Sequence, residues 1–195
     1  DPQKAGNFMN AWGIGIVAGK VSGNLECIDI DTKYDLTGKL YEEFKTIIND
    51  TDDKLLRKLV VQKTPSGGYH FLYRCSVLAG NQKIAMRHTT ADEKIATFQK
   101  VLDKSKPLEE AERARNNDKV RVLIETRGEG GYFGVYPTKG YELVFGDITK
   151  LQDITPAERD LIFSCARTFN EVYEEAKIEK KHEKTYTSNK SPFEH

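Results

Sequence analysis

The order of apolar and polar positions along the chain predicts a mixed fold with more strands than helices. Apolar residues alternate with polar ones, or run together briefly, in seven short segments bounded by turn-forming residues, which is typical of strands. These predicted strands cover residues 12–19, 25–31, 60–62, 69–75, 119–127, 132–136 and 141–145. The third and fourth form a predicted hairpin, and the last three form a predicted meander. Because the strands do not alternate regularly with helices, the pattern favours an α+β core over a doubly wound parallel sheet.

Helical spacing of apolar residues is clearest in two places. Residues 39–59 carry it with a break near 49–51, and a helix over 155–176 starts at a capping box with proline at its first position. The apolar face that should pack this second helix on the sheet consists of Leu161, Ile162, Cys165 and Phe169. Weaker helical patterns at 91–102 and 108–115 lie in a stretch, 76–118, that we interpret as an insertion.

Composition narrows the class of protein only slightly. Thirty basic and thirty acidic residues give a formal net charge of zero, so total charge indicates no nucleic-acid partner and excludes none, since a local basic channel is sufficient. Cys27, Cys75 and Cys165 are odd in number and widely spaced, which favours a reducing compartment over a disulfide scaffold. No apolar run has membrane-spanning length and no signal peptide is evident. We therefore predict a cytoplasmic protein with no membrane partner.

The first candidate motif is a pair of acids, Asp29 and Asp31, at the end of the second predicted strand. Side chains alternate along a strand, so both carboxylates lie on one face, with Cα atoms roughly 6.5–7 Å apart. Like charges at that distance raise each other's pKa unless a cation lies between them, and a divalent cation with oxygen ligands meets that need. A solvated acidic turn at the end of a strand would explain the same pair equally well.

Two further motifs follow along the chain. A Ser66-Gly67-Gly68 turn precedes His70, and backbone N–H groups in such a turn can approach an anion closely. Glu125 then stands two residues before Arg127 on one strand face, followed by further glycines. A carboxylate there could complete a metal cluster while the guanidinium binds phosphate. Alone, a Ser-Gly-Gly hairpin is usually only a turn and a lone histidine is more often structural. An exposed strand would explain the Glu–Arg alternation.

The order of the three motifs resembles the prim-pol branch of the archaeo-eukaryotic primase superfamily. That family has an acidic pair, a later Ser-x-His type of motif and a further strand acid, and the resemblance covers about residues 11–145. It implies an RRM-like catalytic sheet with an α/β N-terminal extension. It also implies a template-directed DNA primase/polymerase that joins NTPs or dNTPs by a two-metal mechanism.

The resemblance assigns the metal ligands to Asp29, Asp31 and Glu125, with Mg²⁺ or Mn²⁺ as the cofactor. Glu125 stands where aspartate is common in the family. His88 and Cys75 are too few for the zinc-binding stem that some relatives carry.

The resemblance assigns the nucleotide contacts to a second group of residues. Ser66, the backbone of Gly67 and Gly68, and His70 would bind the triphosphate, with His70 also counted among the catalytic residues. Arg127 would contact a phosphate. The implied partners are nucleoside triphosphates, a single-stranded DNA template and a helicase-type ATPase domain in the same parent chain.

The resemblance also suggests a division of the chain. We expect a prim-pol catalytic domain over 1–150 with the insertion at about 76–118, a C-terminal packing helix within 151–179, and a linker over 180–195. The last segment is rich in Lys, Glu, Ser and Thr, a composition with little apolar surface to offset the entropy of ordering. We take the chain to be part of a longer protein.

Two other functions remain compatible with the sequence. The chain could be a catalytically inactive nucleic-acid-binding module of a mobile-element replication protein. It could also be a metal-dependent phosphoesterase or nuclease that uses the same acids with water as the nucleophile. The choice between a catalytic and an inactive protein depends on whether the three acids lie close together in the fold, which the structure must determine.

Overall fold

A computed structural model describes residues 13–173 of the chain, and a mixed α+β architecture with antiparallel pairing dominates it. The strands are β1 (Ile14–Val17), β2 (Leu25–Ile30), β3 (Val60–Lys63), β4 (Tyr69–Cys75), β5 (Lys83–His88), β6 (Val120–Arg127), β7 (Tyr132–Val135), β8 (Glu142–Phe145) and β9 (Asp153–Ile154). The main sheet has the order β5-β6-β2-β4-β3-β8, and the short β9 pairs in parallel with the end of β4. The α+β class is confirmed.

Two of the four helices within residues 13–173, the first and the last along the chain, pack on one face of this sheet. The four are α1 (Leu40–Thr51), α2 (Ala91–Leu102), α3 (Leu108–Asn117) and α4 (Pro156–Arg167). Phe44 and Ile48 of α1 and Ile162 of α4 are fully buried in one cluster with alternate residues of the strands, including Ile28 and Ile30. No helix in the part of the chain that the structure describes is long and apolar enough to cross a membrane.

The other face of the sheet is covered only in part, by a ribbon of β1 and β7. These two strands pair with each other and not with the main sheet, and Phe133 and Val135 of β7 pack against Leu25, Cys27 and Leu72. The predicted meander of the last three strands is therefore wrong, because β7 pairs with β1 and β8 pairs with β3. Alternating polarity predicts a strand and its faces, but it does not specify the partner.

A strand within the predicted insertion was not expected. β5 pairs along β6 and forms one edge of the main sheet. Charged residues at both ends of this segment and irregular pairing near Ala85 hide the alternation that would have identified it. Of the helices and strands within 76–118, only α2 and α3 lie outside the sheet.

The final helix is shorter than predicted. α4 ends at Arg167, and the chain then runs beside β5, because the Asn170 side chain accepts the N–H of Met86 and the Glu171 N–H donates to the Met86 carbonyl. These bonds to a strand edge replace continued helix. The predicted positions 174–176 and the predicted linker over 180–195 lie outside the described residues.

A buried ion pair fastens α4 to the sheet. The carboxylate of Glu26 on β2 is fully buried, and it accepts bonds from Arg159 Nε at 2.6 Å and Arg159 Nη2 at 2.8 Å. Tyr73 Oη donates to the same carboxylate at 2.8 Å. Two charges and a phenol are thus mutually satisfied within the core, which is the condition for tolerating them there.

Candidate active site

Five side chains form a continuous row across five strands of the main sheet. Reading from β3 to β5, the register places Gln62 opposite His70, His70 opposite Asp29, Asp29 opposite Glu125, and Glu125 opposite Lys83. Residues directly opposite each other in antiparallel strands project to the same face. The row therefore lies on the face that the β1–β7 ribbon leaves partly open.

A cavity of about 320 Å³ lies beside the middle of this row, toward the carboxyl end of β2. Its lining includes six of the predicted site residues, namely Asp29, Asp31, Ser66, His70, Glu125 and Arg127. A second cavity, of about 220 Å³, shares the three acids and is bounded on its far side by Tyr34 and Arg121. The fold thus places residues that are far apart in sequence around one opening.

Asp29 and Glu125 are close neighbours, and Arg127 lies between them. Arg127 Nη2 is 3.2 Å from Asp29 Oδ2 and 2.5 Å from Glu125 Oε1. Burial raises the pKa of Asp29, Arg127 opposes that shift, and Asp31 adds to it. Burial also raises the pKa of Glu125, again opposed by Arg127 and reinforced by Asp29. The two acids are crowded carboxylates that need a cation, and Arg127 supplies one.

Asp31 lies at the rim of the same cavity and makes local contacts. Its Oδ1 accepts the backbone N–H of Lys33 at 3.2 Å, and its Oδ2 is 3.5 Å from Lys33 Nζ. Within residues 13–173, no group of three or more His, Cys, Asp or Glu side chains is placed to hold a metal ion in this arrangement. The three acids share one cavity, but Arg127 stands between two of them and the third bonds to its own turn.

His70 is buried beside the acids, with 4% of its surface exposed. Burial, reinforced by the charge of Arg127, lowers its pKa to about 4, so the imidazole is neutral at pH 7. Its Nε2 is 3.6 Å from Asp29 Oδ1, and with a neutral ring this contact is not an ion pair. Its Nδ1 is 2.8 Å from Gln62 Nε2.

The Ser66-Gly67-Gly68 turn brings Ser66 to the cavity. The Gly67 N–H donates to the Thr64 carbonyl at 2.9 Å and the Thr64 N–H donates to the Gly68 carbonyl at 2.8 Å. A Cβ on Gly68 would collide with the carbonyl oxygen of Ile30. The missing side chain of Gly68 therefore allows the turn to lie against the end of β2.

Sequence reasoning missed three residues at the site. Gln62 and Lys83 belong to the row, and Tyr141 lines the cavity with its ring 6.0 Å from that of His70. Gln62 could have been identified from the sequence, because it follows Val60 and Val61 in an apolar strand. An amide buried in such a strand requires hydrogen-bond partners, which indicates a polar site nearby. Lys83 had no signal while β5 was unrecognised.

Comparison with known families identifies the family of the chain. The family model described as "Prim-Pol: Bifunctional DNA primase/polymerase, N-terminal" matches residues 4–157. The chain therefore belongs to the Prim-Pol family, whose members are nucleotidyltransferase-type enzymes of DNA replication that generally depend on divalent metal ions. No curated protein and no solved structure gives a significant match.

Proposed function

We propose that the chain is a template-directed nucleotidyltransferase, a DNA primase/polymerase that joins NTPs or dNTPs by a two-metal mechanism. The observation that carries this proposal is the register that sets Asp29 directly between His70 and Glu125 on the open face. Nucleotidyl transfer requires carboxylates and a phosphate-binding donor side by side. These residues supply both from three adjacent strands.

The donor set suits Mg²⁺ or Mn²⁺, because carboxylate oxygens are the ligands these ions prefer. Asp29, Asp31 and Glu125 would hold the ions. The Arg127 guanidinium contacts both Asp29 and Glu125, so the two carboxylates lie close enough to share one cation, and a metal ion would have to take its place. When bound, the ions would neutralise phosphate charge and lower the pKa of the attacking 3′-hydroxyl.

The nucleotide would lie in the cavity of about 320 Å³. His70 and the exposed Ser66 line that cavity and would orient the triphosphate. The Gly67-Gly68 backbone would also contact the triphosphate, and Arg127 would contribute a permanent positive charge to a phosphate. These groups bind and position the substrate.

The RRM-like arrangement is also a proposal, and strand order supports it. Four strands in the chain order β2, β3, β4 and β6 lie side by side as β6-β2-β4-β3, and all three pairs are antiparallel. α1 connects the first two of these strands, and the α2–α3 pair lies between the last two. β1, which precedes these four strands, would belong to the N-terminal extension.

The proposed macromolecular partners rest on family membership. A single-stranded DNA template would direct the reaction, and a helicase-type ATPase domain in the parent chain would advance along it. Cytoplasmic location is proposed from the three free, buried cysteines, which favour a reducing compartment.

One observation favours the inactive nucleic-acid-binding module as a second candidate. Arg127 lies between Asp29 and Glu125, and a fixed guanidinium at that place would exclude a metal ion. The enzyme requires this side chain to leave the carboxylates when an ion binds, whereas the module does not.

A strand-length assay separates these functions. The protein is incubated with a primed single-stranded template, NTPs or dNTPs, and Mg²⁺ or Mn²⁺, and the strands are resolved on a denaturing gel. Lengthened primers support the nucleotidyltransferase, and shortened strands indicate a nuclease. Unchanged strands that nevertheless shift in a native gel indicate the inactive module.

His70→Ala should weaken nucleotide use more than template binding. Removing the Nε2 donor takes one contact from the triphosphate, so the nucleotide KM should rise or kcat/KM should fall by about ten-fold, equivalent to one hydrogen bond to a charged group. Steady-state kinetics and template titration measure the two effects. An equal loss of nucleotide use and template affinity would show that His70 only supports the core.

A further inference from the structure

Gln62 on β3 is fully buried beside the site, and backbone groups fix the direction of its amide. Its Oε1 accepts the N–H of Tyr136 at 3.0 Å, and its Nε2 donates to the carbonyl of Gly134 at 2.9 Å. Rotating the amide by 180° would set two donors against each other at Tyr136 and two acceptors against each other at Gly134. The backbone groups of Gly134 and Tyr136 therefore determine which end of the Gln62 amide is oxygen and which is nitrogen, independently of any other side chain.

The fixed amide in turn determines the hydrogen position on His70. One hydrogen of Gln62 Nε2 points to Gly134, and the other meets His70 Nδ1 at 2.8 Å. An amide nitrogen only donates, so Nδ1 must accept and the ring must carry its hydrogen on Nε2. The edge-to-face contact with Phe133, 5.4 Å between ring centroids, holds the ring plane.

We propose that Gln62 is a positioning residue that locks His70 in the Nε2–H tautomer, so that the ring presents a donor to an anionic ligand in the cavity. The identification of that ligand as the triphosphate of a nucleotide rests on the proposed function. The opposite tautomer would turn a lone pair toward the same place and repel a phosphate oxygen. Gln62 thus converts a ring that could accept or donate into one that only donates toward the site.

The direct test is the tautomer itself, read from the ¹⁵N shifts and two-bond ¹H–¹⁵N couplings of His70 at pH 7 without metal or nucleotide. His70→Ala assigns the signals among the four histidines of the chain. Wild-type protein should show a protonated Nε2 and an unprotonated Nδ1. In Gln62→Met, which keeps the length of the side chain and removes its donor, this preference should be lost.

Kinetics then tests the consequence. Gln62→Met should raise the nucleotide KM by about ten-fold while kcat and template affinity change little. Ile48→Val, a cavity variant of a buried residue on the helical face of the sheet, serves as a control for a general loss of stability. It should leave both the tautomer and the KM unchanged.

The outcomes separate the two proposals. A protonated Nδ1 in wild-type protein, or an unaltered Nε2–H preference in Gln62→Met, overturns the role of Gln62 whatever the enzyme does. A KM change no greater than that of Ile48→Val also overturns it. If wild-type protein incorporates no nucleotide, the proposed function fails, while the NMR result still decides whether Gln62 sets the tautomer.

Discussion

Asp29→Asn should abolish nucleotide incorporation and leave the protein at least as stable as wild type. Asp29 is at the centre of the row, between His70 and Glu125, and would be a ligand of the proposed metal ions. A bound metal ion stabilises the transition state by several kcal/mol, so losing it should lower kcat/KM by about 10³-fold. Primer extension with single-nucleotide resolution measures the loss.

The stability of the same variant follows from the raised pKa values at the site. A carboxyl whose pKa is higher in the folded than in the unfolded state opposes folding when it is ionised, so its cost is present at neutral pH and disappears as pH falls through the folded pKa. Asp29 and Glu125 both have raised pKa values, with burial as the first cause. Replacing Asp29 by a neutral isostere removes part of this cost, so the Tm at pH 7 should stay equal or rise.

Asp50→Asn on the exposed side of α1 is the matched control, because it makes the same chemical change away from the site. It should alter neither activity nor Tm. Should Asp29→Asn unfold the protein while Asp50→Asn does not, Asp29 would be a structural residue and the metal-ligand assignment would fail.

Among the single substitutions proposed for this protein, Arg159→Met should lower the free energy of unfolding most. The variant leaves the fully buried carboxylate of Glu26 with no guanidinium, and breaking a buried pair in this way costs about 3–5 kcal/mol. For a chain of this size, the corresponding fall in Tm is about 6–20 °C. Thermal and urea denaturation, monitored by circular dichroism, give both quantities.

A second substitution distinguishes an uncompensated charge from lost packing. Glu26→Gln in the Arg159→Met background removes the buried charge but keeps an acceptor for Tyr73 Oη, so it should recover most of the lost stability. If the two changes instead destabilise additively, the pair would contribute through packing alone.

The local features of the site could be predicted from sequence because they depend on short-range rules. Alternation along β2 set Asp29 apart from Ile28 and Ile30, which face the helices. The helix starting at Pro156 was recognised from its capping box, which the structure contains. These are properties of contiguous residues, so no tertiary information was needed.

The remaining features depend on which segments become neighbours. β5 and the separate β1–β7 ribbon follow from pairing choices that alternation does not encode. Gln62 joined the site only because β3 pairs with β4 in one particular register. The placement of Arg127 between Asp29 and Glu125 likewise required the pairing of β2 with β6.

Release of pyrophosphate tests the central claim most directly. Wild-type protein, supplied with a primed single-stranded template, nucleoside triphosphates and Mg²⁺ or Mn²⁺, should release one pyrophosphate for each nucleotide added to the primer. The reaction should stop when the metal is chelated and should be absent in Asp29→Asn. If template is bound but no pyrophosphate is released with either metal, the cavity between His70 and Glu125 is not the active site of a nucleotidyltransferase.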